Sequence, residues 1–153
     1  EPLKNLRNDY DVVVVDNAGY LNESLETSLL ASDLCIMPYN ASDDDLHTAP
    51  TMNKTIKNAK RFNKNLDSYV VIARAMAHSA KSIKDDIEET KELFDDNNIK
   101  RFNTIIHNRT PYQRANNTGL GAIELKQGYG DKAKEEINEL MAEVTTWLEG
   151  RAR

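Results

Sequence analysis

The fold is decided by the stretch from Asp11 to Tyr39, DVVVVDNAGYLNESLETSLLASDLCIMPY. It begins with four consecutive valines and ends with a second apolar run, Asp33–Tyr39, and leucines recur at helical spacing between the two runs. Continuous β-branched runs are typical of strands that are buried on both faces of a parallel sheet. The stretch therefore predicts a strand, a helix and a second strand, which is the repeating unit of an α/β fold.

The same alternation continues along the rest of the chain. Two short apolar runs, Tyr69–Ala73 and Phe102–His107, predict two more strands. Helical periodicity predicts four helices, over Leu21–Ala31, Asp44–Asn63, Ser79–Asp95 and Asp131–Leu148. We expect a single α/β domain over residues 1–153, with a mostly parallel sheet flanked by helices.

Two features interrupt this pattern. Pro50 lacks a backbone N–H, so we expect it to end a first turn or to begin the long helix that is predicted over Asp44–Asn63. The stretch Thr110–Gly130 is rich in asparagine and glycine. It is expected to hold a short helix followed by a functional loop.

The composition excludes several classes of protein. Hydrophobic residues make up 39% and charged residues 29% of the 153 residues, which suits a folded globular domain. The longest apolar runs, such as Val12–Val15, are far too short to span a bilayer. Cys35 is the single cysteine, so no internal disulfide can form and a reducing, cytoplasmic setting is expected. The chain begins at Glu1 with no secretory signal, and we expect it to be part of a longer protein.

Charge is distributed unevenly along the chain. The net charge is −5, which argues against a uniformly basic surface for nucleic acid. Segment 46–66 nevertheless contains no acid and five bases, Lys54, Lys57, Lys60, Arg61 and Lys64. Segment 85–96 holds seven acids and one base. The basic residues are candidates for contact with phosphates, and the alternative is an ordinary solvated helix face.

Asp16 is the first candidate for a functional side chain. It follows the four valines directly, and Gly19 comes three residues later. Ligands of open α/β sheets bind at the carboxyl ends of the strands, which is where this carboxylate is expected. An aspartate there can organise the water shell of Mg²⁺ beside a nucleotide phosphate, or it can simply cap a turn.

Three stretches share the order of the motifs of one known family. The first, DYDVVVVDNAGYLNESLETSLLASDLCIMPYNASDDDL, matches at Asp16, Gly19, Ala31, Asp33, Pro38 and Asp45. The second, IIHNRTPYQRANNTGLGAI, matches at Ala115, Gly119 and Ile123, and the third is the last predicted helix, DKAKEEINELMAEV. Together they resemble the region from the Walker B strand to the closing helix of the ParA/MinD family of deviant P-loop ATPases. The resemblance covers almost the whole chain.

The chain departs from that family in three places. It contains no GxxxxGK[ST] phosphate loop, which the family carries near its N-terminus with two lysines. His107 stands where the family usually has proline, and Asn17 and Ala18 stand where its switch has prolines. The resemblance therefore implies a P-loop NTPase-like fold that is truncated at its N-terminus and lacks the phosphate loop.

The resemblance also assigns roles to individual residues. It implies that Asp16 organises Mg²⁺, that Gly19 permits movement of the switch, and that a further set lies on the base side of the nucleotide. That set comprises Arg74, Asn108, Arg109, Thr110 and Pro111. The alternatives from the residues alone are a helix cap for Asn108 and a surface salt bridge for Arg109. The five basic residues of segment 46–66 would contact DNA without sequence preference.

The function that the resemblance implies is plasmid or chromosome partition in a bacterium. The complete protein would bind ATP and Mg²⁺, form a homodimer, bind non-specific DNA on the nucleoid and respond to a centromere-binding partition protein. It would be cytoplasmic, without a membrane anchor. This chain alone would not hydrolyse ATP, because nothing in it would hold the phosphates. The alternative function is a catalytically inactive α/β module whose acidic helix, Ser79–Asp95, binds a basic protein.

The family's topology leads to one further expectation about the sheet. In ParA-like proteins the strand that enters the phosphate loop lies between the two strands predicted here over Asp11–Asp16 and Asp33–Tyr39. Without it, two rows of backbone N–H and C=O groups would lack partners inside a sheet. We therefore expect the vacant position to be filled by a separate fragment, by a second copy, or by direct pairing of the two strands.

Overall fold

The computed structural model describes residues 2–18, 22–40, 43–76, 80–95, 98–126, 128 and 130–151. The elements in chain order are α1 (Pro2–Asp9), α2 (Glu23–Ala31), β1 (Leu34–Tyr39), α3 (Asp43–Phe62), β2 (Asp67–Ala75), α4 (Ala80–Phe94), β3 (Lys100–His107), α5 (Thr110–Thr118), a one-turn 3₁₀ helix (Ala122–Glu124) and α6 (Asp131–Arg151). Strand and helix alternate from β1 onward, as the sequence predicts.

The three strands form one open sheet in the order β1-β2-β3, and both pairings are parallel. Helices flank this sheet, so the predicted α/β class and the parallel sheet are confirmed. The helix that is predicted over Leu21–Ala31 begins at Glu23. Asn22 is its N-cap, because Asn22 Oδ1 accepts a hydrogen bond from the backbone N–H of Leu25 at 2.8 Å. Thr110–Gly130 contains a short helix, α5, as expected.

The core lies between the sheet and helices α2, α3 and α4. Its buried residues are Leu25, Leu29, Tyr39, Ala49, Ile56, Ala59, Leu66, Val70, Phe94 and Ile99. Polar side chains link the helices to this core, because Asn53 Nδ2 of α3 donates to the Leu93 carbonyl at 2.7 Å and Asn63 Nδ2 donates to the Leu29 carbonyl at 3.0 Å. Apolar burial and these interhelical hydrogen bonds together fix α3 against both of its neighbours.

The predicted strand over Asp11–Asp16 is wrong. These residues belong to no strand of the described part of the chain, and the four valines are 36–87% exposed. β1 pairs only with β2 among the described residues, so direct pairing of the valines with β1 does not occur, and no other described residue fills the expected vacant position. A run of valines favours extended backbone, but a strand also requires a hydrogen-bonding neighbour.

The expectation for Pro50 is also wrong. α3 begins at Asp43, seven residues earlier, so Pro50 lies inside the helix rather than in its first turn. The ring deprives one carbonyl in the preceding turn of its N–H partner. Pro50 is exposed, so water can hydrate that carbonyl, and the buried residues on the other face keep the helix in place.

The two edges of the sheet differ. At the β3 edge, the backbone N–H groups of Asn103 and Thr104 donate to the carboxylate of Glu143 on α6, at 2.8 and 2.7 Å. Burial acts to raise the pKa of Glu143, but hydrogen bonds from the Thr104 hydroxyl and from these two N–H groups outweigh it and lower the pKa. Helix α6 therefore covers the β3 edge with a charged acceptor, which is one of the ways in which proteins protect edge strands.

The β1 edge has no comparable cover among the described residues. The N–H of Asp67 donates to the carbonyl of Asp33 at 2.9 Å, so alternate residues of β1 face β2 and the residues between them face outward. The outward set is Leu34, Ile36 and Pro38. The edge thus presents two N–H groups and three carbonyls, because Pro38 has no N–H to offer.

Candidate functional site

A cleft lies at the carboxyl end of β3, the side of an open α/β sheet where ligands bind. Its volume is about 450 Å³. One wall is formed by residues 108–111 and the other by residues 130–133. All four residues predicted to lie on the base side after β3, Asn108 to Pro111, therefore line a single cleft. Their role in binding a nucleotide stays a prediction.

The wall from Asn108 to Pro111 is shaped by the end of a strand and the start of a helix. The N–H of Asn108 donates to the Ala75 carbonyl at 2.9 Å, which extends the pairing with β2 by one bond beyond His107. Arg109 then has extended backbone and precedes α5, where Pro111 occupies a first-turn position that suits its missing N–H. The residue before α5 is thus Arg109, without a side-chain cap, and the helix-cap alternative for Asn108 is wrong.

The opposite wall comes close to the first one at a glycine. Gly130 has φ +79°, and a Cβ atom placed on it would lie 2.7 Å from Cβ of Pro111. Both the left-handed backbone and the contact with the proline ring exclude a side chain at this position. The close approach of the two walls therefore depends on Gly130.

A buried carboxylate joins the two walls. Glu136 of α6, whose side chain is 9% exposed, accepts hydrogen bonds from Arg109 through Nε at 2.9 Å and through the terminal nitrogen at 2.7 Å. Tyr112 donates its hydroxyl to the same carboxylate at 2.9 Å, and the Nδ1 atom of His107 lies 2.7 Å from it. The N–H of His107 adds a fifth contact at 3.3 Å. We call Glu136 and its three partners the Glu136 network.

The electrostatics of the Glu136 network follow from these contacts. Burial acts to raise the pKa of Glu136, but hydrogen bonds from Arg109, Tyr112 and His107 outweigh it and lower the pKa below its ordinary value. The hydrogen bond to Glu136 raises the pKa of Arg109 in turn. Burial, followed by the bond to Glu136, raises the pKa of the Tyr112 hydroxyl. Arg109 therefore carries a fixed positive charge. It forms a salt bridge, which is the alternative that the residues alone gave for it, but this salt bridge is partly buried rather than at the surface.

The sequence contained one signal for Glu136. It lies three residues after Ala133, which is fully buried, so helical spacing places it on the inner face of α6. Its position in the first turns of the helix by itself indicates only a favourable interaction with the helix dipole. An acid on the inner face of a helix needs a partner. Arg109 and Tyr112 lie 27 and 24 positions before Glu136 in the sequence, so the sequence alone does not reveal that they pair with it.

Arg74 is not among the residues that line this cleft, and it has an unusual backbone conformation. It is exposed, it is part of β2, and its φ of +58° is rare for a residue with a side chain. The pairing of β2 with β3 is irregular between Ala73 and Ala75, and Ala75 is the residue whose carbonyl binds Asn108. Such backbone outliers concentrate at functional sites, so Arg74 stays a candidate for a functional residue.

Asp16 is not among the residues that line the cleft. It is exposed at the end of the valine run, and the next residue, Asn17, accepts a hydrogen bond from the Ser28 hydroxyl at 3.1 Å. Gly19 lies outside the described residues. Mg²⁺ is usually held by one or two carboxylates together with substrate phosphates, so a single Asp16 suits a metal that arrives with a nucleotide. No three acids, histidines or cysteines within the described ranges cluster as a metal site.

The predicted DNA-binding residues fall into two groups. Lys54, Lys57, Arg61 and Lys64 are exposed, and none of them forms an ion pair with a described residue. Lys60 differs, because its Nζ donates to the Asn98 carbonyl at 2.9 Å. Burial lowers the pKa of Lys60. Lys60 thus tethers α3 to the loop before β3, and the four exposed residues, which we call the basic face, are the ones available to a phosphate.

Comparison with known protein families and with curated proteins finds no match to this chain. The likeness to ParA-like ATPases therefore rests on the three stretches of sequence quoted above, and membership of that family stays a prediction. None of the described helices is both long enough and apolar enough to cross a bilayer.

Proposed function

We propose that this chain is the larger part of a ParA-like partition ATPase, in which the cleft at the end of β3 holds the base and ribose of ATP. The observation that carries the proposal is the convergence of Asn108 to Pro111 on one cleft at the ligand-binding edge of a parallel sheet. The sequence motifs point to these residues independently of the cleft.

In this proposal the chain's own residues recognise the base side of the nucleotide. The exposed amide of Asn108 can both donate and accept hydrogen bonds, which suits the edge of an adenine. Glu136 holds Arg109 in one place, so the wall of the cleft is already ordered before a ligand arrives. Arg74 stands one residue before the carbonyl that fixes Asn108.

The phosphates would be held by residues outside this sequence. Support comes from the open edge of β1, which presents N–H and carbonyl groups, and from the exposed run Val12–Val15, which pairs with no strand of the described residues. One parallel strand between them would satisfy both. A phosphate loop that follows such a strand would come close to Asp16, which would then orient Mg²⁺ through water.

The remaining parts of the proposal concern the complete protein. It would form a homodimer, act in the bacterial cytoplasm and bind non-specific DNA through the basic face. A centromere-binding partition protein would stimulate its turnover. These assignments follow from the family resemblance, and the exposed positions of Lys54, Lys57, Arg61 and Lys64 are compatible with them.

The base-side role can be tested on this chain alone. We expect adenosine and ATP with Mg²⁺ to bind with the same weak affinity, because only the base and ribose would find a partner. In ¹H–¹⁵N correlation spectra both ligands should shift the amides of Asn108, Arg109 and Gly130, and leave those of α4 unchanged. Cytidine serves as the ligand control, and Asn108→Ala as the variant control that should reduce the shifts.

Two results would count against the proposal. A micromolar dissociation constant for ATP, with adenosine binding far more weakly, would mean that the phosphates are bound by residues we have not identified. Ligand shifts that avoid the cleft would remove the base-side assignment. If the chain binds no nucleoside but its acidic helix α4 binds a basic protein, the alternative function as an interaction module is favoured.

A further inference from the structure

Phe62, the last residue of α3, is the most exposed large apolar side chain among those of this helix that the structure describes. It is 83% exposed, whereas Ile56 and Ala59 on the inner face of the helix are at most 7% exposed. A phenylalanine in that position gives up the free energy that burial of such a side chain contributes. Packing against the described residues therefore does not account for its place on the surface.

The surroundings of Phe62 are positively charged. Positions four apart on a helix are neighbours on its surface, so Lys54, Asn58 and Phe62 form one row. Lys57 and Arg61 form the adjacent row by the same spacing, and Lys64 follows in the turn after α3. Phe62 thus stands at the border of the basic face, in a segment of the sequence that contains no acid from residue 46 to residue 66.

We propose that the basic face and Phe62 together bind single-stranded nucleic acid, with Lys54, Lys57, Arg61 and Lys64 on successive phosphates and a base stacked on the ring of Phe62. Cationic grooves with exposed aromatic rings are the usual means of binding a single strand without sequence preference. A ring can stack only on a base whose face is uncovered, and the bases of a duplex cover one another.

Charge decides between a nucleic acid and a protein as the occupant of this surface. The cores of protein interfaces are depleted of lysine, and four cations around a single apolar ring leave little apolar area to bury. A polyanion with flat apolar bases satisfies both the cations and the ring. The inference rests on the DNA-binding part of the proposed function and adds the form of the nucleic acid and the residue that distinguishes it.

The test compares binding to a fluorescein-labelled oligothymidylate of about twelve nucleotides and to a duplex of the same length, by fluorescence anisotropy over a range of salt. Phe62→Ala should weaken oligothymidylate binding about 5- to 100-fold, as loss of one base–aromatic stack does. The slope against salt should not change, and Phe62→Tyr should restore affinity. Met141→Ala, which removes an exposed apolar side chain from α6, is the matched control.

A second variant separates the two contributions. Lys57→Ala combined with Arg61→Ala should weaken binding to both probes and reduce the salt slope by roughly 0.9 for each phosphate that the protein no longer neutralises. The inference is overturned if Phe62→Ala binds oligothymidylate as the unmodified chain does, or if the unmodified chain does not bind it. Duplex binding that depends on Lys57 and Arg61 but not on Phe62 would leave the DNA-binding part of the proposed function standing. Binding to the single strand alone would support the inference and contradict binding to duplex DNA.

Discussion

The Glu136 network makes the most direct prediction about stability. Replacing Glu136 by alanine removes the acceptor for three side chains and leaves the guanidinium of Arg109 without its ion-pair partner. Loss of a partner from a buried, charged hydrogen-bonded pair costs about 3–5 kcal/mol. Arg109 and His107 are 26% and 20% exposed, so water can replace part of the interaction. We therefore expect a loss of about 2–4 kcal/mol for Glu136→Ala and about 1–2 kcal/mol for Glu136→Gln.

Urea unfolding of the three proteins measures this effect as a shift of the midpoint at unchanged slope. Glu135→Ala is the matched control, because Glu135 is the exposed neighbour in the same helix, and a change within about 0.5 kcal/mol is expected. The pH dependence gives a second measurement. The folded pKa of Glu136 is lowered, so its contribution is present above the unfolded pKa and is lost as the pH falls through the folded pKa.

The difference in stability between the unmodified chain and Glu136→Gln should accordingly be constant near neutral pH and shrink below the ordinary pKa of glutamate. An equal stability of the two proteins at neutral pH would refute the assignment of Glu136 as the charged centre of the network. A difference that stays constant down to strongly acidic pH would show that shape, rather than the negative charge, is what the network needs.

Two further predictions follow from the backbone and from the cysteine. Gly130→Ala should destabilise the chain by about 2–3 kcal/mol and Gly128→Ala by only about 1 kcal/mol. Both glycines have positive φ, but only Gly130 faces the ring of Pro111. Equal urea midpoints for the two variants would contradict this prediction. Burial raises the pKa of the Cys35 thiol to about 11. A thiol-specific disulfide reagent should therefore react slowly with the native chain at about pH 8 and quickly with the chain unfolded in urea. Fast reaction of the native chain would place the thiol at the surface.

The extent to which the sequence predicts the fold depends on whether a residue's partners are local. The runs Tyr69–Ala73 and Phe102–His107 predict β2 and β3 because their β-branched and apolar composition is enough to identify a buried strand. The same composition misleads at Val12–Val15. Valines favour strands, but pairing is a property of two segments, and the sequence of one segment does not show whether a partner lies beside it.

The candidate site likewise contains residues that could be predicted from the sequence and one contact that could not. The resemblance to ParA-like ATPases points to Asn108–Pro111, and the topology of parallel sheets places residues that follow a strand at the ligand-binding edge. Glu136 could not be paired with Arg109 from the sequence, because they lie 27 positions apart and the chain has 25 acids and 20 bases from which other pairs could be chosen. Pro50 inside α3 is a case of tertiary packing outweighing a local preference, since the buried face of the helix continues across it.

The carboxylate of Glu143, which accepts the N–H groups of Asn103 and Thr104, has a consequence for the stoichiometry of self-association. Strand pairing between molecules needs an open edge on each, and this sheet presents such an edge at β1 while α6 occupies the other. Two molecules that join through their β1 edges would form a six-stranded sheet with α6 at both ends. Growth through sheet edges must therefore stop at two, and a chain shortened before α6 would lose this limit and could polymerise in both directions.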